Sequence, residues 1–304
     1  MSSLTASIII CTYNRSKDLC ICLKSLENQI VKPIEIIIVD DGDFQKTKKL
    51  LKDMDFDFKK IIHLKKDKKG LPASRNVGIQ HVKGDITCFI DDDVILPPTW
   101  VGEITKLYSK YQNISGAGGC VIDINPFDTG RIYNALSKIR SILFSNRAGK
   151  LSFIGIPYHL LDILNQDKKL VDTLTGCNMT FRTEVFKEQE FDESYIGSAW
   201  GEELDFCTSL KNKGKELLYY PKAFVIHNRT LTGGCRTNDS LYWLIRNNTY
   251  FLSKNFNSKR LRLFSLLLIF TPYMMLIYGF KGPSMTFKAF KDGNKQYDDL
   301  RGSK

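Results

Sequence analysis

Short apolar runs alternate along the first hundred residues with stretches whose apolar residues recur at helical spacing. Residues 7–10 form the first apolar run, and apolar residues between Leu19 and Ile30 then repeat every three or four positions. Asn14 and Ser16 are candidate caps for this periodic stretch, and Pro33 follows its end. The pattern predicts a strand followed by a helix.

The alternation continues through three more strands and two more helices. The run IEIIIVDD at residues 34–41 is rich in β-branched residues, which is typical of a parallel strand buried on both faces. Helical spacing returns at residues 45–54 and 72–82, with an apolar run at 61–62 between them and the strand pattern DITCFI after them. This βαβαβαβ order predicts an α/β fold with a doubly wound, mostly parallel sheet flanked by helices.

The second half of the chain is less regular. Pro97 and Pro98 open a further helix, GAGGCVID is a strand pattern, and residues 125–170 follow no clear period, so we expect acceptor-binding loops there. GEELDFCTSLKNKG is an amphipathic helix pattern that stops at Gly214, and ELLYYP and AFVIH are strand patterns. We predict a catalytic domain at residues 1–235, with halves at 1–123 and 124–235, and a C-terminal helical, hydrophobic region at 236–304.

An uncharged apolar segment occupies residues 263–280. Its 18 residues are interrupted by Pro272 and flanked by basic residues, among them Lys281 and Lys288. At 1.5 Å per residue the segment reaches about 27 Å, which is marginal for crossing a bilayer. A buried core helix, a helix lying in the membrane interface and a tilted span all remain open. The basic flanks favour contact with an anionic leaflet, so we predict membrane association.

Composition and charge narrow the partners. The 304 residues are 43% hydrophobic and carry 44 Lys or Arg against 33 Asp or Glu, a net charge of +11. The hydrophobic content excludes disordered and collagen-like chains. The positive net charge favours an acidic partner, such as a nucleotide or an anionic lipid. Basic residues are not interleaved with an aromatic platform, which argues against nucleic acid. The eight cysteines show no CxxC spacing, so we expect reduced thiols. The sequence shows no signal-peptide pattern, so we expect that the protein is not secreted and lies at the cytoplasmic face of a membrane.

Two buried strand patterns end in clusters of aspartate. Asp40 and Asp41 end one, and Asp91, Asp92 and Asp93 end the other. In open α/β sheets ligands bind at the carboxyl ends of the strands, and clustered carboxylates there suit Mg²⁺ or Mn²⁺. The chain has neither a GxxxxGK[ST] loop nor a GxGxxG turn after the first strand. Substrate phosphates would then be held by the metal, as in a site for a nucleotide sugar.

An ordered set of segments carries a family resemblance. SIIICTYNR, EIIIVDDGD, GLPASRNVGI, FIDDDV, GCNMTFRTEVF, FDES, GEELD and VIH follow one another between Ser7 and His227. The set resembles the family 2 glycosyltransferases of GT-A fold. The resemblance implies an inverting, metal-dependent enzyme that uses a UDP-, GDP- or dTDP-linked sugar and a carbohydrate or lipid-linked acceptor.

The resemblance also implies roles for particular residues. The nucleotide would be bound by Cys11, Thr12, Tyr13, Arg15, Asp40, Asp41, Arg75, Asp91 and Asp92. The donor sugar would be bound by Asn76, Gly176, Cys177 and Asn178. The metal would be held by Asp93, Asp91 and His227. Asp93 is the expected direct ligand, and an imidazole ligand would favour Mn²⁺ over Mg²⁺.

GEELD supplies the expected general base. Displacement at an anomeric carbon needs a carboxylate that takes the proton of the acceptor hydroxyl. The family usually has Glu-Asp here, whereas this chain has Glu202 and Glu203. The choice between the two stays open, with Glu203 preferred. The alternative function is that of a metal-dependent nucleotidyl or phosphoryl transferase. A basic nucleic-acid-binding protein is a second and less favoured alternative.

Overall fold

The computed structural model of the chain describes residues 3–54, 61–65, 70–124, 149–158, 167–228 and 240–302. Its strands are β1 (Ala6–Thr12), β2 (Glu35–Asp40), β3 (Ile61–Lys65), β4 (Ile86–Asp91), β5 (Val94–Ile95), β6 (Ile114–Gly118), β7 (Val121–Asp123), β8 (Lys169–Val171), β9 (Asn178–Arg182), β10 (Glu216–Tyr219) and β11 (Val225–His227). Its α-helices are α1 (Ser16–Glu27), α2 (Phe44–Asp53), α3 (Leu71–Ile79), α4 (Trp100–Lys110), α5 (Glu202–Asn212), α6 (Ser240–Asn255), α7 (Lys259–Tyr278) and α8 (Lys281–Gly302).

The main sheet has the strand order β3-β2-β1-β4-β9-β6-β10-β8. The pairs β1/β2, β1/β4, β2/β3 and β6/β10 are parallel, while β9 runs antiparallel between β4 and β6. All six residues of β2 are buried, as expected for a strand covered by helices on both faces. The predicted α/β class with a mostly parallel sheet is confirmed, and the carboxyl ends of β1, β2 and β4 lie along one edge.

A small second sheet completes that edge. Its order is β5-β11-β7, and it pairs His227 at the end of β11 with Val94 of β5, next to the three aspartates. The predicted strand GAGGCVID is therefore two strands, because the chain leaves the main sheet after Gly118. A Cβ on Gly119 would lie 1.5 Å from the carbonyl oxygen of Ala223, so only glycine permits this close crossing.

The predicted start and end of α1 need correction. Neither Asn14 nor Ser16 caps α1: the cap position is Arg15, and Asn14 adopts a φ of 54° and accepts a hydrogen bond from the N–H of Asp43. The helix ends at Glu27, before the predicted Ile30. The segment after β9 is a 3-10 helix. The expected acceptor loops lie mostly outside the described residues.

The C-terminal helices pack on the rest of the chain. Leu266 and Phe270 of α7 share one hydrophobic cluster with Tyr195 and Leu204, which precede and begin α5. Gly197 makes room for α6, since a Cβ at this position would lie 2.2 Å from the Trp243 ring. The predicted domain boundary between residues 235 and 236 falls in a segment that is not described.

Partly buried charges join the same parts of the chain. Lys254 of α6 lies 2.6 Å from a carboxylate oxygen of Asp192 and 2.6 Å from one of Asp205. The two carboxylates raise the pKa of Lys254 although burial opposes this. Tyr250 donates a hydrogen bond to Asp192 as well. The network fixes α6 against α5 and the segment before it.

Candidate active site

A cleft of about 400 Å³ lies at the carboxyl edge of the sheet. Strand ends, the start of α5 and the start of α6 form its walls. Its lining residues are Leu71, Arg75, Asp91, Val121, Thr175, Gly176, Cys177, Ser198, Ala199, Trp200, Glu202, Glu203, His227, Ser240, Leu241 and Leu244. Seven of the residues predicted from the sequence are among them, so the fold brings the acidic strand end and the paired glutamates to one cavity.

Asp92 turns away from this cleft toward the end of β1. It accepts hydrogen bonds from the Thr12 hydroxyl at 2.7 Å and from the Arg15 guanidinium at 2.9 Å. Burial raises the pKa of Asp92 to about 7, although the charge of Arg15 acts in the opposite direction. Thr12, Arg15 and Asp92 thus form one buried polar group beside the predicted nucleotide position.

Asp93 lies between two cations. One oxygen is 3.0 Å from the Arg15 guanidinium, and the other is 3.0 Å from Nε2 of His227. Nδ1 of His227 is 3.0 Å from Asp123, so the imidazole bridges two carboxylates. Burial by itself would shift both groups toward their neutral forms. The hydrogen bonds outweigh it, lowering the pKa of Asp93 and raising that of His227 to about 9.

Asp91, Cys177 and His227 converge on one point. Their ligand atoms all lie within 4.8 Å of one another. A carboxylate, an imidazole and a thiol are all donors to divalent transition metals, so this set fits such an ion. Burial raises the pKa of Asp91, and the charge of Asp93 adds to the effect, as expected where a positive charge would be accommodated.

The geometry therefore differs in detail from the predicted metal set. Asp91 and His227 come together as expected, and Asp93 touches His227 directly. Cys177, expected near the sugar, joins the converging atoms. Asp123 is an additional residue that orients His227, and the only signal for it in the sequence is an acid at the end of the VID strand pattern.

Arg75 and Glu202 form a buried ion pair in the floor of the cleft. Their side chains are 3% and 2% exposed. The guanidinium lies 5.8 Å from the ring centroid of Phe89 and 5.3 Å from that of Phe191, and it donates to the carbonyl of Gly176 at 3.2 Å. Such a cation is held in a fixed place by aromatic faces and by a carboxylate together.

Glu203 follows in the first turn of α5 and lines the cleft. Burial raises the pKa of its carboxyl, and the positive charge of Arg75 partly opposes the shift. A carboxylate with a raised pKa in a cavity is a better proton acceptor than an exposed one.

The residues predicted around the nucleotide base lie at the ends of β1 and β2. Tyr13 is 42% exposed just after β1, and Cys11 is half-buried in that strand. Asp40 is buried and binds the N–H of Gly42 and the ring of His63. Asp41 accepts from the N–H of Gly70, before α3.

Two asparagines are engaged elsewhere. The Asn76 amide donates to the carbonyl of Phe191 and accepts from the N–H of the same residue. Asn178 has no exposed surface, and its amide donates to the carbonyl oxygens of Cys120 and Ala223. Both side chains hold segments together behind the cleft.

A family match defines the class of this protein as a glycosyltransferase. The family model Glycosyl transferase family 2 matches residues 7–189, well over half of the chain, and the chain belongs to this family. This confirms the predicted family and enzyme class.

Curated relatives match parts of the chain. It is 26% identical over 118 residues to a glucosyl-dolichyl phosphate glucuronosyltransferase of Haloferax volcanii, covering 38% of each protein. The chain spans well under half of the length of the first curated relatives that it matches.

Solved structures match nearly the whole chain. The TarS 1-349 structure of S. aureus in complex with UDP-GlcNAc has a TM-score of 0.63 at 14% identity, covering 97% of this chain and 82% of that one. The mannosyltransferase PcManGT of Pyrobaculum calidifontis, in complex with GDP-Man and Mn²⁺, has a TM-score of 0.56 at 12% identity, covering 98% and 88%. These similarities confirm the GT-A fold.

Proposed function

We propose that this chain is an inverting transferase that moves a sugar from a nucleoside diphosphate to a hydroxyl group of a glycan, polysaccharide or glycolipid. One observation carries the proposal. Glu203 and the converging atoms of Asp91, Cys177 and His227 line the same cleft. A proton acceptor and a place for a divalent cation are the two groups that direct displacement at an anomeric carbon requires.

Glu203 is the better candidate for the general base. Glu202 is held in an ion pair with Arg75 and is almost completely buried, so its charge is already balanced. The raised pKa of Glu203 suits a group that takes a proton from the acceptor hydroxyl and later releases it. We assign Glu202 and Arg75 to positioning, because Arg75 also fixes the carbonyl of Gly176 at the donor side.

Asp91, Cys177 and His227 would hold a divalent cation, with Asp93 beside them. We propose Mn²⁺ or Mg²⁺, and the imidazole and the thiol favour Mn²⁺. When bound, such an ion neutralises the charge that develops on the departing diphosphate. Arg15 lies next to Asp92 and Asp93, where it can bind a phosphate oxygen. The Mn²⁺ in the PcManGT complex supports a metal in this fold.

The nucleoside is proposed to bind at the ends of β1 and β2. Tyr13 offers an exposed ring for stacking, with Cys11 and Thr12 beside it in the chain, and Asp41 offers a carboxylate for a ring N–H. Asp40 supports the turn beneath Asp41. The nucleotide sugars in the TarS and PcManGT complexes support a donor of this class.

A ligand screen followed by product analysis tests the proposal. UDP-, GDP- and dTDP-sugars are added with Mn²⁺, with Mg²⁺ or with a chelator, and the melting temperature is followed. We expect one nucleotide series to raise it only with metal. The product with a suitable acceptor should carry the anomeric configuration opposite to that of the donor. A retained configuration, or nucleotide binding that ignores metal, would contradict the mechanism.

We further propose that residues 1–235 supply the catalytic machinery and that residues 236–304 associate with the cytoplasmic face of a membrane. Among the described residues, α7 alone is long and apolar enough to cross a bilayer, with a mean hydropathy of 1.7. The relative from Haloferax volcanii has a lipid-linked sugar in its name, which is compatible with work at a membrane.

A further inference from the structure

The helix α7 is apolar on two opposite faces. One face is buried against the protein through Leu263, Leu266, Phe270 and Met274. The opposite face is exposed to solvent. Six large apolar side chains lie on it, and each is between 46% and 86% exposed. These are Leu261, Phe264, Leu268, Ile269, Met275 and Leu276, and we call them the outer face of α7.

The buried face extends over most of the length of the helix. From Leu263 to Met274, α7 packs on α6 and α8, and these two helices also pack on each other. A helix that crossed a bilayer in this arrangement would take its neighbours into the hydrocarbon. Lys288 and Lys291 of α8 are exposed, and α6 carries the buried Arg246. Placing these charges in hydrocarbon would be costly, so the packing argues against a span.

The charge of this region selects an anionic surface. Residues 240–302 contain ten Lys or Arg and three Asp, which is most of the net charge of +11. Exposed Arg260 and Lys281 lie near the two ends of α7, and Phe280 beside Lys281 is 93% exposed. Apolar side chains flanked by cations match the interface of an anionic leaflet, where both contribute to binding.

We propose that α7 lies in the plane of an anionic leaflet, with its outer face among the lipids and its buried face on the protein. This rests on the membrane association proposed above and specifies its geometry. Both chain ends remain on the same side of the bilayer, and the cleft stays on that side as well.

Topology is tested on the full chain with an epitope tag at each end. A bacterial host yields spheroplasts and inside-out vesicles, and protease is added to each from outside. We expect both tags to be cut in the inside-out vesicles and neither in the spheroplasts. If one tag is cut in each preparation, α7 spans the membrane and the in-plane geometry is wrong. If the protein stays in the soluble fraction, the membrane association itself fails.

Vesicle sedimentation tests the outer face. The purified full chain is mixed with vesicles of phosphatidylcholine alone or with added phosphatidylglycerol. We expect binding only with the anionic lipid, and a loss of roughly tenfold or more in the double variant Leu268→Glu and Leu276→Glu. The double variant Ile21→Glu and Ile30→Glu is the matched control, because it adds the same charge at residues that are 44% and 73% exposed outside this face.

Gel filtration of the same variants tests whether a second copy of the chain, instead of lipid, covers the outer face of α7. The proposal expects the wild type and the double variant to elute at the same position. A dimer that the double variant dissociates, without anionic-lipid binding by the wild type, would assign the outer face to self-association and overturn the proposal.

Discussion

The carboxylate of Glu202 is paired with the guanidinium of Arg75 in the floor of the cleft, and both side chains are almost completely buried. The neighbouring Glu203 lines the same cavity, and burial raises the pKa of its carboxyl. Two adjacent glutamates therefore occupy different electrostatic environments, and this difference separates the group proposed to move a proton from the group that balances a fixed charge.

Replacing Glu203 by Gln should lower the transfer rate by about 10²–10⁴ while donor binding stays near that of the wild type, because only the proton acceptor is lost. Single-turnover rates and calorimetric titration with the donor measure the two effects. Glu202→Gln is the matched control, and we expect it to affect stability more than chemistry. The reverse result would move the base to Glu202.

Removal of the guanidinium should destabilise the fold. Arg75→Met leaves the Glu202 carboxylate buried without its partner, and breaking such a pair costs about 3–5 kcal/mol. The double variant Arg75→Met with Glu202→Gln should recover part of this loss. Urea denaturation of the four proteins of the cycle gives the coupling energy, and strictly additive effects would show that the pair is not coupled.

The thiol of Cys177 should affect which metal binds. A soft ligand favours Co²⁺ over Mg²⁺ relative to an all-oxygen site. We expect the Co²⁺ protein to show a sulfur-to-metal charge-transfer absorption that disappears in Cys177→Ser. Cys120→Ser is the control, since Cys120 is a buried thiol outside the converging set. An unchanged spectrum in Cys177→Ser would remove this thiol from the metal site.

The stability of the metal-free protein should fall between pH 6.5 and about 9. The pKa of His227 is raised from 6.5 to about 9 by Asp123 and Asp93, so its contribution is complete below 6.5 and is lost as pH rises through 9. The contribution is on the order of 3 kcal/mol. Chemical denaturation in chelator across this range should show a decline that is smaller in His227→Gln. An equal decline in both proteins would contradict the assignment.

Crowding at Gly119 gives a prediction about the fold. Alanine there would place its Cβ 1.5 Å from the carbonyl oxygen of Ala223, so the backbone must separate where the chain enters the small sheet. We expect Gly119→Ala to lower the free energy of unfolding by roughly 1–3 kcal/mol. Gly214→Ala is a useful comparison, because its Cβ would meet nothing and only its positive φ is strained. Equal costs would show that the crossing is not tight.

The parallel part of the sheet was predictable because each of its strands is a continuous apolar run with a helical pattern on either side. The division of GAGGCVID between two sheets was not, because it depends on the close approach of residue 223, more than a hundred positions away. The capping of α1 was missed for a similar reason: Asn14 binds the N–H of Asp43, on the far side of β2.

The residues of the candidate site also fall into two groups, those that a local sequence pattern predicts and those that depend on tertiary packing. The placement of Asp91, Glu203 and His227 at the cleft could be predicted because each lies at the end or the start of an element, where a local pattern carries the information. Cys177 was predicted at the donor sugar, and its position beside Asp91 and His227 depends on tertiary packing. The contact of Asp123 with His227 depends on tertiary packing as well. Asn76 and Asn178 belong to the same motifs as Arg75 and Cys177. Their amides, however, donate hydrogen bonds to backbone carbonyls that lie far away in the sequence, and no local pattern predicts these contacts.

The contact between α6 and the catalytic part has a practical consequence. Ser240, Leu241 and Leu244 wall the cleft, and the same helix anchors α7 and α8. Truncation before α6 would remove one side of the cavity and lay bare the apolar surface around Tyr195 and Leu204. A water-soluble form for crystallisation is therefore better obtained by substituting charged residues for the apolar residues on the outer face of α7 than by shortening the polypeptide.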